Sequence, residues 1–398
     1  MRSIFLLLIS AALAAQTPRV QISNTAESLR GVSTVSREIA WASGTHGTYL
    51  RTTDAGRTWT PAQVPDAAAL DFRAVVAFSA DEAFLMSAGS SDQSRIYHTT
   101  DGGKHWQLQF TNSNPKGFFD SMVFWDRTHG VVLGDPVADE AGQLKFEVLL
   151  TDDGQSWHAL PPSQLPPALE GEGAFAASNT CIAILGSWWK SGASAPRTDA
   201  QNNGASAPDA GTAPDPNIWF ATGGKVARVF HSPDRGQTWQ AVDTPILHGL
   251  DSTGIFSIAF RDALHGVIAG GNYKRPNDDG PNLAFTEDGG NTWTLSTIHP
   301  QAYFSAVTYD RRVNEAALRA QASQAEAERA GKKIRIKPAA PQRLFLVGND
   351  FIFDFRPPAD PQRISSNKKL AMKFNAASPY PEGGALIIGP KGAIAILP

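Results

Sequence analysis

The sequence predicts an all-β chain: a seven-bladed β-propeller of four-stranded antiparallel blades, its ring closed by the N-terminal strand. Three observations predict it. A short turn pattern recurs five times, a fixed order of apolar segments precedes each copy, and the last unit lacks a strand that the N-terminus can supply.

The pattern is Ser/Thr-x-Asp-x-Gly-x-Ser/Thr-Trp. It places Asp54 with Trp59, Asp101 with Trp106, Asp152 with Trp157, Asp234 with Trp239 and Asp288 with Trp293. Two copies deviate, with His105 before one Trp and Leu150 in the leading position of another. Asp in a tight turn accepts bonds from backbone N–H groups further on, and Gly supplies a conformation that other residues resist. The Trp leaves the turn into the next strand and packs between sheets. Each turn offers too few oxygen ligands for calcium, so the aspartates read as structural and no metal or cofactor is expected.

Upstream of each turn come an apolar strand, a short turn, a strand ending in small residues, a loop, and a strand entering the pattern. IFSIAF from Ile255, VIAGG from Val267 and LAFTEDGGNTW from Leu283 show the order most clearly. Two further units lack the turn: Ala302 to Phe355 supplies a sixth, and Lys373 to Leu397 a seventh with only three strands. RVQISN, Arg19 to Asn24, can complete it and cover an open edge.

Two stretches interrupt the repeat within a single domain spanning 16–398. Residues 191–216 are a Ser/Ala/Pro/Gly tract that reads as a disordered loop. Residues 311–340 read as an Ala-rich helical insertion with a basic tail, either solvated or docking an acidic partner. Residues 1–15 have the early cation, apolar run and small-residue ending of a signal peptide, with cleavage after Ala14 or Ala15. The expected location is therefore secreted or periplasmic. No later segment has the roughly 18 apolar residues of a membrane span. With 35 basic and 38 acidic residues, no global field favours nucleic acid. Cys181, the single cysteine, sits in an apolar run and reads as a buried strand residue, and a monomer is expected.

On these motifs the chain resembles the photosystem II stability and assembly factor family of propellers and, more broadly, the Asp-box or bacterial neuraminidase repeat superfamily. The strongest match is GVSTVSREIAWASGTHGTYLRTTDAGRTW, followed by THGVVLG and LHGVIAGG. The resemblance implies a scaffold that docks a protein partner in the cell envelope, in part through arginine-bearing surface. Arg30, Arg37, Arg51, Arg57, Arg73 and Arg95 lie in the first two units.

The alternative is a carbohydrate-active propeller, a glycoside hydrolase or sialidase-like enzyme binding a glycan. The Phe/Tyr-Arg-Ile-Pro segment of sialidases is missing. Because the Asp turns join third to fourth strands, the opposite face carries the second-to-third loops and the entries to first strands. Site residues are sought there. Asp120 and Glu172 are the candidate catalytic carboxylates; Trp188, Trp189, Lys274, Arg275, Asp135 and Asp350 are candidates for binding a partner or ligand.

Overall fold

The computed structural model describes residues 17–185, 215–298, 300–312, 343–348, 351–356, 362–366 and 372–398. The expected signal peptide, most of 191–216 and of 311–340, and the residues Trp188, Trp189 and Asp350 lie outside them.

Seven antiparallel sheets succeed one another along the chain. Leu29–Thr34, Ala40–Gly44, Thr48–Thr52 and Thr60–Gln63 form the first blade. The next first strands are Asp71–Ala77, Phe119–Phe124, Ile182–Ile184, Thr253–Phe260, Ala306–Tyr309 and Ala376–Pro379. Each lies beside the first strand of the next blade, the seventh beside the first, so the ring is closed around a channel. Blade seven is completed by Arg19–Gln21, antiparallel to Ala393–Leu397, with Arg19 opposite Ile396 and Gln21 opposite Ile394.

One feature departs from the regular repeat. Glu172–Gly173 and Gly223–Gly224 pair with each other and join the edge of blade five, giving a six-stranded sheet. Glycine is required there. A Cβ on Gly254, whose φ is 145°, would lie 2.3 Å from the Gly223 Cα.

Seven apolar clusters fill the seven seams between blades. In five of them the Trp that follows an Asp turn packs against the preceding blade: Trp59 against Leu386 and Ile388 of blade seven, Trp106 against Trp41 and Tyr49, Trp157 against Phe124 and Phe84's cluster, then Trp239 and Trp293. The seams on either side of blade six have no Trp and are filled instead by phenylalanines such as Phe304, Phe345 and Phe374.

The turns show what each residue type does. Thr52 Oγ1 accepts from Gly56 N–H and donates to Asp54 Oδ1, while Asp54 accepts from Thr58 N–H at 2.9 Å and Thr58 Oγ1 at 2.6 Å. Asp234 and Asp288 repeat this set. At the second turn His105 Nδ1 meets Asp101 Oδ2 at 2.6 Å, so the imidazole replaces the hydroxyl without loss of the bond. The third turn corrects the sequence reading. Its carboxylate is Asp153, which accepts from Ser156 N–H and Oγ and from Gln155 N–H, and its leading hydroxyl is Thr151 rather than a position filled by Leu150. The turn is one residue shorter than the others, so counting back from Trp157 landed on exposed Asp152. The backbone N–H groups of Ser156 and Gln155 hold the Asp153 carboxyl well below the usual range.

Gln21 ties the closing strand to blade one. Its Oε1 accepts from Trp59 Nε1 at 3.0 Å and its Nε2 donates to Ala55 O. Gln109 makes the same pair of bonds to Trp157 and Gly154 at the seam between blades two and three. Trp59 is 2% exposed, so Gln21→Ala leaves a buried N–H unpaired and is expected to lower unfolding free energy by about 1–3 kcal/mol in urea titrations. In the same assay Asp153→Ala lowers the unfolding midpoint and Asp152→Ala leaves it in place. The reverse order would restore the original assignment.

Candidate binding site at the channel mouth

Four first strands carry a β-bulge at one shared register, four residues before the strand ends. The bulged residues are Arg30, Arg73, Asp120 and Phe256. A bulge re-aims one side chain out of the pleat. Here Arg30, Arg73 and Phe256 are turned to line the channel mouth, at the end where chains enter the blades, while Asp120 is buried beside it. Ser305 and Asn375 hold the same register in blades six and seven, and both line the mouth with Arg30, Arg73 and Phe256. A small residue follows at each position, as in Arg30-Gly31, Arg73-Ala74 and Phe256-Ser257. Close approach explains it: a Cβ on Gly31 would sit 2.9 Å from Val75 N of blade two.

The mouth encloses about 380 Å³. One side is aromatic. Phe175, from the segment entering blade four, stacks on Phe256 with centroids 3.9 Å apart, and Tyr303 meets Phe256 edge-on at 4.7 Å. Tyr273, 42% exposed, extends this surface to the rim. Burial pushes the Tyr303 phenol well above its ordinary range, so it stays a neutral donor.

The other side is cationic. Arg73 Nε donates to Asp71 Oδ2 at 2.9 Å and Nη1 to Ala176 O at 3.0 Å. Arg30 Nε lies 3.9 Å from the same carboxylate oxygen and is buried without a hydrogen bond. Burial, then the neighbouring Arg73 charge, pulls the Arg30 pKa down. Two guanidinium groups thus share one carboxylate.

Asp120, bulged in blade three, is 1% exposed, and its Oδ2 has no hydrogen-bond partner. Its carboxyl is held well above the usual range, first by burial and then by the Asp135 charge, against the opposing pull of Arg73. Asp135 accepts from Ala174 N–H at 2.9 Å and is raised by burial, as is Glu147. No group of His, Cys, Asp and Glu among the described residues has the arrangement of a metal site.

The remaining candidates separate from the mouth. Glu172 accepts from Arg228 Nε at 3.0 Å and Nη2 at 2.5 Å, from Thr222 Oγ1 and from Leu169 N–H, with its side chain fully buried. Those four bonds use its acceptor sites to fasten the entry of blade four to that blade's third strand. Lys274 and Arg275 sit on the rim beside Tyr273; Lys274 Nζ lies 5.9 Å from the Tyr273 ring, and Arg275 pairs with Asp278 at 2.8 Å. Cys181 is buried against Ser121 Oγ, its thiol pushed up to about 12 by burial. The chain leaves the described residues at Leu185, past the end of a first strand and so on the face of the Asp turns. Trp188 and Trp189 lie outside the described residues.

The geometry can be set beside known folds. No family model and no curated protein sequence matches the chain. Among solved structures, "YCF48 bound to D1 peptide" matches with 15% identity and a TM-score of 0.57, over 97% of this chain and 96% of that one. YCF48 from Cyanidioschyzon merolae matches at 15% identity with a TM-score of 0.39, over 96% and 99%. The WD40 propeller domain of Doa1 matches at 10% identity and 0.55, over 96% and 97%. The likeness is one of fold. It agrees with the propeller fold that the sequence predicts.

Asp120 yields a test of the electrostatics. A carboxyl whose pKa is raised by folding favours the fold while protonated, so its contribution is present below about pH 4 and is lost as pH rises toward the raised value. Asp120→Asn is therefore expected to increase stability near neutral pH and to flatten the pH dependence above about pH 4. Chemical denaturation across pH 4–8 measures both, and identical profiles for the two proteins would rule out strain at this carboxyl.

Proposed function

We propose that the chain is an exported, non-enzymatic propeller scaffold that binds a segment of a protein partner at the channel mouth. The observation that carries this reading is the pair Arg30 and Arg73, sharing the single carboxylate of Asp71 beside a wall of Phe175, Phe256 and Tyr303. A partly desolvated guanidinium with spare donors binds a carboxylate strongly, and flat aromatic surface takes up the apolar groups next to it. An extended peptide with an acidic group and an apolar neighbour meets both demands. The solved propeller of similar fold is bound to a peptide, which supports a polypeptide ligand here.

The partner belongs to the cell envelope in this reading, because the first fifteen residues have the make-up of an export signal. The carbohydrate-active alternative has one observation in its favour. A carboxyl with a raised pKa, as at Asp120, is what a general acid needs. Its proposed partner Glu172 is engaged by Arg228, and Asp120 is nearly sealed from solvent.

The deciding experiment is capture of partners from the native envelope with the wild-type chain and with Arg30→Ala and Arg73→Ala, followed by affinity measurement on the recovered protein. Each variant is expected to lose about 1.5–3 kcal/mol of binding, roughly ten- to a hundredfold in Kd. A partner bound equally well by the double variant, or glycan hydrolysis that Asp120→Asn abolishes, would overturn the scaffold reading at this site.

A further inference from the structure

Among the described residues, the seam between blades five and six opens into a cleft beyond its apolar cluster, on the face of the Asp turns and apart from the mouth. In five seams an indole from the following blade's turn fills the space between sheets. Blade six cannot supply one to the seam with blade five, since no tryptophan occurs after Trp293. The facing wall is thin there as well. The second residue of the second strand is Trp41, Phe84 or Trp219 in blades one, two and four, but valine in blades three and five, and blade three's Val131 has Trp239 packed in its seam while Val267 has no indole.

A cleft of about 550 Å³ results, within the roughly 300–1,000 Å³ usual for ligand pockets. Phe285, Tyr309 and Phe355 give it aromatic walls. Ser296 lines it at a meaningful position. It stands three residues after Trp293, as Gln109 stands three after Trp106, and Gln109 Oε1 accepts the indole N–H of Trp157 from the next blade. Ser296 Oγ donates to Ile298 O at 2.6 Å and accepts from Ile298 N–H at 3.3 Å, which leaves one lone pair for an incoming donor. The rim carries exposed Glu287 and half-buried Asp288, and no lysine or arginine among the described residues lines the cleft.

We propose that this cleft is a second binding site, taking a tryptophan side chain flanked by basic residues on a partner polypeptide. The indole occupies the place that the turn Trp occupies in the other seams, its N–H directed to Ser296, and the flanking cations meet Glu287 and Asp288. This site is independent of the mouth, so Arg30→Ala leaves it intact.

The test uses the full chain and a fluorescently labelled, end-blocked Lys-Trp-Lys peptide, read by anisotropy. Saturable binding is expected, weakened at least about tenfold when the peptide Trp is replaced by Ala. Ser296→Trp places an indole in the cleft from the protein itself and is expected to abolish binding. Glu287→Gln, at an exposed position that the fold does not need, weakens binding several-fold and reduces its salt dependence. Unchanged thermal melting of both variants separates these effects from misfolding. Equal binding of the Ala peptide, no saturable binding of the Trp peptide, or equal binding by free indole each overturns the proposal, the last by showing a small-molecule pocket.

Discussion

Among the described residues a backbone ladder between blades occurs only where Gly223–Gly224 joins the edge of blade five, so elsewhere the ring depends on side chains that join neighbouring sheets across the seams. The indole of each Asp turn is the largest of these. It combines burial with a directed N–H, which finds Gln21 or Gln109 at two seams and the turn's own Gly236 at a third. Nearer the channel, hydroxyls and amides take over. Ser33 Oγ accepts from Ala77 N–H, Asn179 bonds both backbone groups of Met122, and Ser257 Oγ accepts from Val307 N–H. Each of these bonds satisfies a backbone or side-chain group that no strand pairing reaches, which is what allows the first strands to stand edge to edge around an open channel.

That arrangement explains why the mouth is built from bulges. A first strand is confined by two neighbours and by its own second strand, so a regular pleat would direct alternate side chains into those contacts. One extra residue at the entry end re-aims a single side chain in each of four blades without disturbing the seam below it. The small residue that follows gives the neighbouring strand room, as Gly31 does for Val75. The scaffold can then vary the freed residue without changing the fold: Arg, Arg, Asp, Phe, Ser and Asn stand at this register in six of the blades.

This separation of scaffold from site also sets what the sequence made legible. The turns repeat because one set of bonds must be satisfied each time, and that constraint shows as a pattern; blade number, strand order and the role of Arg19 to Gln21 follow from it. The third turn misled because its loss of one residue leaves two adjacent aspartates, and only the bonds from Ser156 distinguish Asp153 from Asp152. At the mouth the position repeats and the residue type does not. Arg30 and Arg73 were visible as arginines of the first two units, yet nothing local joined them to Phe175 or Tyr303, more than a hundred residues away. The small residue after each bulge was the available signal, and it is short enough to be lost among other Gly and Ala residues. Glu172 was visible as a carboxylate at a strand entry, but its use by Arg228 is a contact over 56 positions in sequence.

The electrostatics of the mouth follow from the same geometry. Asp120, Asp135 and Glu147 lie on blade three, where burial penalises their charged forms, while Arg30 and Arg73 lie on the two preceding blades. Complete ionisation would place negative charge behind the guanidinium groups and compensate them internally. Burial of Asp120 opposes that compensation. Asp71 bonds Arg73 directly and holds its side chain in place. The two arginines therefore differ: Arg73 is fixed by Asp71 and Ala176 O, while Arg30 Nε lies buried without a hydrogen bond beside the same carboxylate.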